Sequence, residues 1–477
     1  MSLLRKLLWL IIVGIVMMQM PLLAARAQES DSGDGPVFIR DAEIENYLHE
    51  LAAPIYTAAG IDPQSVTIVI VQSSVVNAFV AEGMNEFFYT GLLQLTDSPE
   101  QLAGVIAHET GHIADGHLIR GKEEMRNASA EAILGMILAV AAGAASGDGG
   151  LAAGGMAGGA QIAERSYLGF SRSVEASADA AGMSFLDKAG ISTRGMLEFF
   201  KKLEGQEMLP ADRQVEYVQT HPLTEDRIAA VQQHLDNSPP SLRNARLPQK
   251  FYDMHARMKA KLLGYLQPDI ALLRYSAADT SIPARYARAI ALYRTGKPDA
   301  SIALLDGLIA QKPDDPFFYE MKAQVQFDDG RIDAAIPNYA KANALLPDSA
   351  LLRQEYGHAL LESNDTTGMG ARIDLAITQL LESNRLEGRE PETWRFLAEA
   401  WGRKGDLTSD PQYTALASYA LAEEAAAQGH DAAASQLAAR AMKGLPPNSP
   451  YWLRAQDIKL SLAPPGGQGR KKNNNGP

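Results

Sequence analysis

Apolar residues recur every three or four positions along most of the chain, which is the spacing of one face of an α-helix. The range 41–59 is the first such stretch. Three short runs depart from this pattern. The β-branched run 66–71 is typical of a buried strand, and the runs 75–81 and 86–90 predict two more. We therefore expect a small sheet within a mainly helical first part of the chain.

The later helical pattern repeats itself. Ala289, Ala323 and Gly357 are spaced 34 residues apart, as are the glycines at 296 and 330 and the prolines at 313 and 347. Small residues at a helix crossing, a glycine at the turn and a proline after the second helix are typical of tetratricopeptide repeats, which stack into a concave solenoid. The next interval, Gly357 to Ala398, is 41 residues and indicates an insertion near 363–371.

The first 27 residues have the pattern of a secretory signal peptide. Arg5 and Lys6 precede an almost uninterrupted apolar run at 7–20, and the sequence A-R-A at 25–27 offers a cleavage site. An uncleaved membrane anchor is the alternative, but Pro21 and the A-x-A sequence favour cleavage. We expect an exported protein located in a bacterial periplasm.

A second segment is unusually rich in alanine and glycine. Residues 139–160 carry a single charge, and 132–145 is apolar but too short and too interrupted by glycine for a transmembrane helix. The segment 132–160 is a hairpin in peripheral contact with a membrane, a lid or plug over a functional site, or two closely packed helices. We favour the lid or plug.

Composition narrows the class of protein. Hydrophobic residues make up 46% and charged residues 21% of the 477 residues, as in folded globular proteins. The formal charge of −13, without a basic stripe, argues against nucleic acid as a partner. The chain has no cysteine, which excludes disulfides, thiolate metal sites, cysteine nucleophiles and a lipid anchor on an N-terminal cysteine.

The candidate chemistry lies in residues 108–112, which read H-E-T-G-H. The sequence S-P-E-Q at 98–101 is a helix start, so this motif is expected on a helix. His108 and His112 then lie on one face and can hold one metal ion, while Glu109 can deprotonate a water molecule. A surface helix with two unrelated histidines is the alternative.

The remaining metal ligand must come from elsewhere in the chain. One class of zinc peptidase has a third histidine at the place of Leu118, and His117 is one residue out of that register. We expect His117 to support the helix end. Glu175 and Asp179 lie at i and i+4 on a later predicted helix, so we expect Glu175 to bind zinc and Asp179 to orient a ligating histidine. A solvated helix face is the alternative.

Together these motifs resemble a known family. The motif at 108–112, S-R-x-x-E-x-x-x-D at 171–179 and T-H-P at 220–222 with Arg227 are similar to the HtpX and CAAX-prenyl-endopeptidase class of gluzincins. N-A-F at 77–79 and T-G-L-L at 90–93 also fit. The signal peptide and the repeats make the chain more similar to the BepA-type periplasmic members. The resemblance covers roughly residues 38–460.

The resemblance implies that His108, His112 and Glu175 hold one Zn2+ ion and that Glu109 is the general base. It also implies that His221 can occupy the open zinc position and restrain activity. The alternative is that His221 merely precedes a helix that starts at Pro222.

The resemblance further implies that substrates pair with an edge strand beside the zinc helix. That strand is 76–80, with Asn77, Ala78 and Phe79, or else 87–89. Arg172, Arg227 and His221 are candidates for stabilising the oxyanion, and each has a structural role as its alternative.

We therefore predict a mainly α protein: a signal peptide at 1–27, an α+β zinc metallopeptidase domain with a small sheet at 28–240, a helical connector at 241–282, an α-solenoid at 283–463 and a disordered tail at 464–477. It would hydrolyse peptide bonds in misfolded or stalled envelope proteins. The resemblance implies outer-membrane barrel precursors or their assembly machinery as partners, recruited by the repeats. A chaperone or binding module with little proteolysis, and a hydrolase of non-peptide amides, are the alternatives.

Overall fold

The computed structural model describes residues 37–81, 84–116, 172–205, 214–388 and 390–461. The predicted signal peptide, the segment 132–160, His117 and the predicted tail lie outside these residues. Within them the chain is mainly helical with one small sheet, which confirms the predicted fold class. No helix in these ranges is both long and apolar enough to span a membrane.

The sheet has four strands in the order β1-β2-β4-β3. They are β1 (Phe38–Ile39), β2 (Thr67–Val71), β3 (Ala78–Ala81) and β4 (Asn85–Tyr89). β2 and β4 are parallel, whereas β1 and β3 run antiparallel to their neighbours. β4 is therefore an interior strand and β3 is an edge strand of the described sheet. Of the two predicted edge segments, 87–89 was wrong.

Ten helices of the described residues belong to the first part of the chain and its connector. Their bounds are α1 (Ala42–Ala58), α2 (Thr90–Leu95), α3 (Pro99–Ala114), α4 (172–189), α5 (Arg194–Leu203), α6 (Glu216–Thr220), α7 (Glu225–Asn237), α8 (Pro240–Arg243), α9 (Gln249–Leu266) and α10 (Pro268–Arg274). α3 starts as predicted, because the Ser98 side chain accepts a hydrogen bond from the Gln101 amide and Pro99 occupies the first turn. The apolar faces of α1 and α3 are buried together in one core.

The repeats follow as pairs of helices. They are α11 (Ile282–Arg294), α12 (Pro298–Gln311), α13 (Pro316–Asp328), α14 (Ile332–Leu345), α15 (Ala350–Glu362), α16 (Met369–Leu386), α17 (Pro391–Thr408), α18 (Pro411–Ala427), α19 (Asp431–Gly444) and α20 (Pro450–Ser461). Ala289 and Ala323 are fully buried where helices cross. Gly296 and Gly330 have φ of +74° and +76°, which favours glycine at the turn. The predicted insertion lengthens α16 to 18 residues, against 14 in α14.

Two predicted bounds were wrong for identifiable reasons. The strand expected at 75–81 starts at Ala78, because the carbonyl of Val76 accepts a hydrogen bond from the amide of Tyr217 instead of from a sheet neighbour. Pro222 does not start a helix. α7 begins at Glu225 after the N-cap Thr224, and the carbonyl of Pro222 accepts a hydrogen bond from a side chain of α7.

We predict that His255 makes the fold less stable in acid. Its ring lies between the hydroxyl of Tyr47 and the carbonyl of Thr96, and burial lowers its pKa to about 4. Between pH 6.5 and 4 the unfolded chain therefore binds a proton that the folded chain does not bind, and the free energy of unfolding falls by up to about 3 kcal/mol. Thermal unfolding of the native chain and of His255→Gln across this range measures the effect. An equal pH dependence in both proteins would contradict it.

Candidate metal centre

Three polar side chains of α3 point into the interior. His108 and Glu109 are fully buried, and His112 is 7% exposed. The preceding turns of the helix are held in the core by Leu102, Val105 and Ile106, which fixes the direction of the following turn. Because His108 and His112 are four residues apart, their rings lie on one face with centres 4.7 Å apart.

A close contact between two backbones brings α4 to this face. A Cβ added to Gly111 would lie 2.6 Å from the carbonyl oxygen of Ala178, and one added to Gly182 would lie 2.9 Å from the carbonyl oxygen of Ala107. Such separations are too short for any side chain, so glycine is required at both positions. The acidic side chains of α4 are thereby within reach of α3.

Asp179 of α4 orients His108. Its Oδ1 accepts a hydrogen bond from Nδ1 of His108 at 2.9 Å, and its two oxygens accept bonds from Nε and Nη2 of Arg227 at 2.6 and 2.9 Å. Burial opposes ionisation of Asp179, but the bonds to Arg227 and His108 outweigh it and lower the pKa of this carboxyl. Since Nδ1 of His108 holds a proton, its Nε2 is the atom that can bind a metal.

Four side chains form a buried donor group: His108, His112, Glu175 and His221. One donor atom from each lies within 4.8 Å of the others. Nε2 of His108 is 3.1 Å from Nε2 of His112, 3.3 Å from Nδ1 of His221 and 3.2 Å from Oε2 of Glu175. Tetrahedral zinc with bonds of about 2.0–2.1 Å separates its ligand atoms by roughly 3.3 Å. Imidazoles with a carboxylate at this spacing fit a zinc ion.

The charges of the group also favour a cation. Burial alone would lower the pKa of His108, but hydrogen bonds with Asp179 and Glu175 raise it to about 10. Burial likewise opposes ionisation of Glu175, yet the bonds to His108 and His221 lower its pKa. The two carboxylates therefore stabilise positive charge at Nε2 of His108. A metal ion can supply that charge in place of a proton.

Glu109 lies beside this group without being part of it. Both of its carboxyl oxygens are buried and have no hydrogen-bond partner among the described residues. Nε2 of His221 lies 3.6 Å from Oε1 of Glu109. Burial raises the pKa of Glu109. A buried carboxyl without a partner is costly unless water or a ligand contacts it, so this side chain has capacity for a further bond.

His221 connects the donor group to the edge strand β3. Its Nδ1 lies 3.2 Å from Oε2 of Glu175, and its Nε2 lies 3.3 Å from the carbonyl oxygen of Ala78. The backbone carbonyl of Asn77 points toward β4, where it accepts a hydrogen bond from the amide of Tyr89. In an antiparallel pair the backbone groups of successive residues point alternately toward and away from the partner strand. The carbonyl of Ala78 therefore points to the free edge of the sheet.

The short helix α6 lies along the same edge. The amide of Tyr217 donates to the carbonyl of Val76. The side chain of Asn77 donates to Glu216 at 3.0 Å and accepts from Thr220 at 3.3 Å. Residues 216–221 therefore cover part of β3 as well as one face of the donor group.

The structure brings most of the predicted site residues together. The residues that converge are His108, Glu109, His112, Glu175, Asp179, His221 and Arg227, with Asn77 and Ala78 at the adjoining edge. Arg172 is exposed, and Arg227 is engaged by Asp179 and Glu175. Phe79 stacks on Phe87 of β4 at 4.7 Å. Sequence reasoning missed the attachment of α6 through Glu216, for which the sequence offers no periodic or motif signal.

Comparison with known proteins finds a family model that matches the first part of the chain. Residues 39–235 match the model described as Peptidase family M48. A Yersinia pestis protein named beta-barrel assembly-enhancing protease is 24% identical over 375 residues, which are 77% of this chain and 74% of that protein. The Escherichia coli (strain K12) protein of the same name is 25% identical over 327 residues, which are 67% and 65% of the two chains.

Solved structures that resemble this chain match it with low TM-scores. The structure titled MamA MSR-1 C2 is 21% identical and covers 38% of this chain and 97% of its own, with a TM-score of 0.30. The structure titled APC/C hetero-tetramer Cut9-Hcn1 is 13% identical and covers 78% of this chain and 96% of its own, with a TM-score of 0.20.

We predict that Gly111→Ala disrupts the metal centre. The added methyl group would overlap the carbonyl of Ala178, so α4 must move away from α3 at a cost of about 1–3 kcal/mol. The thermal midpoint and the bound zinc per chain should both fall. Gly402→Ala is the matched control, because its added methyl group meets no atom within 4 Å. Native zinc content and an unchanged midpoint in Gly111→Ala would refute the prediction.

Proposed function

We propose that the chain is a zinc-dependent endopeptidase, because residues 39–235 match the model described as Peptidase family M48. One zinc ion would be held by His108, His112 and Glu175. The observation that carries this proposal is the buried group of imidazoles and a carboxylate next to Glu109, whose carboxyl oxygens are buried without a partner among the described residues.

The proposed mechanism assigns each step to residues of this chain. Zinc held by these residues would supply Lewis-acid chemistry: it would lower the pKa of water and polarise a peptide carbonyl. Glu109 accepts a proton from the attacking water and then donates it to the leaving amine. Its raised pKa makes it a stronger base than an exposed carboxylate. Asp179 and Arg227 hold His108 in the tautomer that binds metal.

The proposed substrate position is the free edge of β3. An extended peptide can add to a sheet edge through main-chain hydrogen bonds, which tolerate many sequences. The outward carbonyl of Ala78 lies in contact with the His221 ring, which is also within 3.6 Å of Glu109. A strand paired there would pass beside the donor group and the general base.

We propose further that His221 restrains the enzyme at rest. Its Nδ1 fills the fourth position of the donor group, while its Nε2 and α6 cover the edge where the substrate would pair. Movement of residues 216–221 away from β3 would open both positions together. Their attachment consists of a few hydrogen bonds, so a change of modest free energy can release it.

The proposed cellular role follows the named relatives. They are called beta-barrel assembly-enhancing proteases, so we propose that this chain acts on misfolded or stalled outer-membrane proteins in the periplasm. The repeats would recruit these substrates or the assembly machinery. A chaperone that acts through its repeats is the second candidate, and a cell-wall amidase is the third.

We predict that Glu109→Gln abolishes hydrolysis of unfolded casein while zinc remains bound. The amide cannot accept the proton, so the rate should fall by at least about 100-fold, the scale of general-base catalysis. Glu198→Gln, an exposed change on α5, is the control and should retain full activity. A chelator should stop the native enzyme, and murein should remain uncleaved. Full proteolysis by Glu109→Gln would rule out this assignment, and cleavage of murein alone would favour the amidase.

We predict that His221→Ala increases casein turnover. The change frees one position of the donor group and one outward carbonyl of β3, so kcat/KM should rise several-fold. His430→Ala, an exposed change in the repeats, should have no effect. Initial rates at equal zinc occupancy make the comparison. Unchanged or lower turnover by His221→Ala would refute the proposed restraint.

A further inference from the structure

A cavity of about 360 Å³ lies where the first part of the chain meets the repeats. Its wall includes the start of α1, part of α9 and the first helices of three successive units, α11, α13 and α15. The charged residues that line it are Arg40, Asp41, Lys261, Arg294, Glu320 and Glu355. Arg294 is exposed, and Arg40 is also at the surface, where three carboxylates outside the cavity pair with it.

The buried part of this wall holds more carboxyl groups than basic groups. Lys261, at 1% exposure, is the buried cation of the lining. Its Nζ lies 2.8 Å from Oδ2 of Asp41, 3.4 Å from Oε2 of Glu43 and 3.6 Å from Oε2 of Glu320. Glu355 has no ion pair among the described residues. The Lys261 ammonium group therefore faces three carboxylates, of which Glu43 also pairs with Arg257.

In two of these carboxyl groups, one oxygen lacks a hydrogen-bond partner among the described residues. Glu320 is 4% exposed, and its Oε2 is buried without a hydrogen bond in the described part of the chain. Oε2 of Glu355 is also buried without a hydrogen bond among the described residues. Burial raises the pKa of both carboxyls, and their mutual repulsion adds to this effect for Glu355. A cation that entered the cavity would satisfy both groups.

We propose that this cavity binds the ammonium or guanidinium group of a basic side chain on an extended peptide, with Glu320 and Glu355 as its acceptors. The inference deepens the recruiting role proposed for the repeats. It concerns binding alone and does not depend on the zinc site.

The spacing of the donors favours an organic cation over a metal ion. Among the described residues, the group of three or more metal-like donors within 4.8 Å is the one at His108, and the cavity carboxylates do not form a second. A volume of about 360 Å³ is at the lower end of the range for small-ligand pockets and can hold one long side chain with adjoining backbone. The wall spans three repeat units, so a peptide can continue along their first helices.

Fluorescence anisotropy can test this with the full chain carrying Glu109→Gln, which prevents cleavage. The probes are a labelled decapeptide of alternating lysine and serine, the same peptide with every lysine acetylated, and spermidine as a competitor. We expect the lysine peptide to bind at least about tenfold more tightly than the acetylated peptide, since charge-assisted hydrogen bonds are lost on acetylation. Equal binding of the two peptides, or binding of spermidine without binding of the peptide, would overturn the proposal.

Two further substitutions place the binding in the cavity. Glu355→Gln and Glu320→Gln should each weaken the lysine peptide about tenfold, whereas Asp314→Asn, an equal charge change at an exposed loop, should not. Without peptide, the thermal midpoint of Glu355→Gln should be equal or higher, because a buried unpaired carboxylate is removed. Equal peptide affinity in Glu355→Gln and Asp314→Asn would overturn the proposal. Anisotropy measures peptide binding and not proteolysis. A failure of this proposal can therefore be distinguished from a failure of the proposed enzyme function.

Discussion

The contact between α3 and α4 is the constraint on which the metal centre depends. Gly111 and Gly182 let the two helix backbones touch, with 2.6 Å and 2.9 Å between the sites of their missing Cβ atoms and the facing carbonyl oxygens. Only at this distance can the short side chains of Glu175 and Asp179 reach His108. A separation larger by one methyl group would leave His108 buried without its orienting carboxylate. The glycine inside the histidine motif is thus as necessary to the geometry as the histidines.

Charge balance then determines what the buried groups can hold. Glu175 and Asp179 are buried against His108 and Arg227, so each stays ionised only because a cation faces it. A metal ion fits the donor group for the same reason. The cavity at the junction with the repeats is the contrasting case, because its carboxylates outnumber the one buried cation, Lys261.

Much of the fold and of the candidate site could be predicted from the spacing of residues along the sequence. The i and i+4 positions of His108 and His112, and of Glu175 and Asp179, identified two helix faces, and the 34-residue period identified the repeats. What could not be predicted depends on contacts between distant segments. The position of β3 at the edge depends on sheet order, the late start of α7 on a bond from Arg227, and the attachment of α6 on Asn77. None of these contacts leaves a periodic signal.

X-ray absorption at the zinc edge, with metal analysis of the purified full chain, tests the central claim most directly. The account predicts one zinc ion per chain, bound by three imidazole nitrogens and a carboxylate oxygen at about 2.0–2.1 Å, with one imidazole lost in His221→Ala. Replacing His108 should remove the metal. A chain that takes up no zinc, or a zinc spectrum without imidazole ligands that survives replacement of His108, would contradict it.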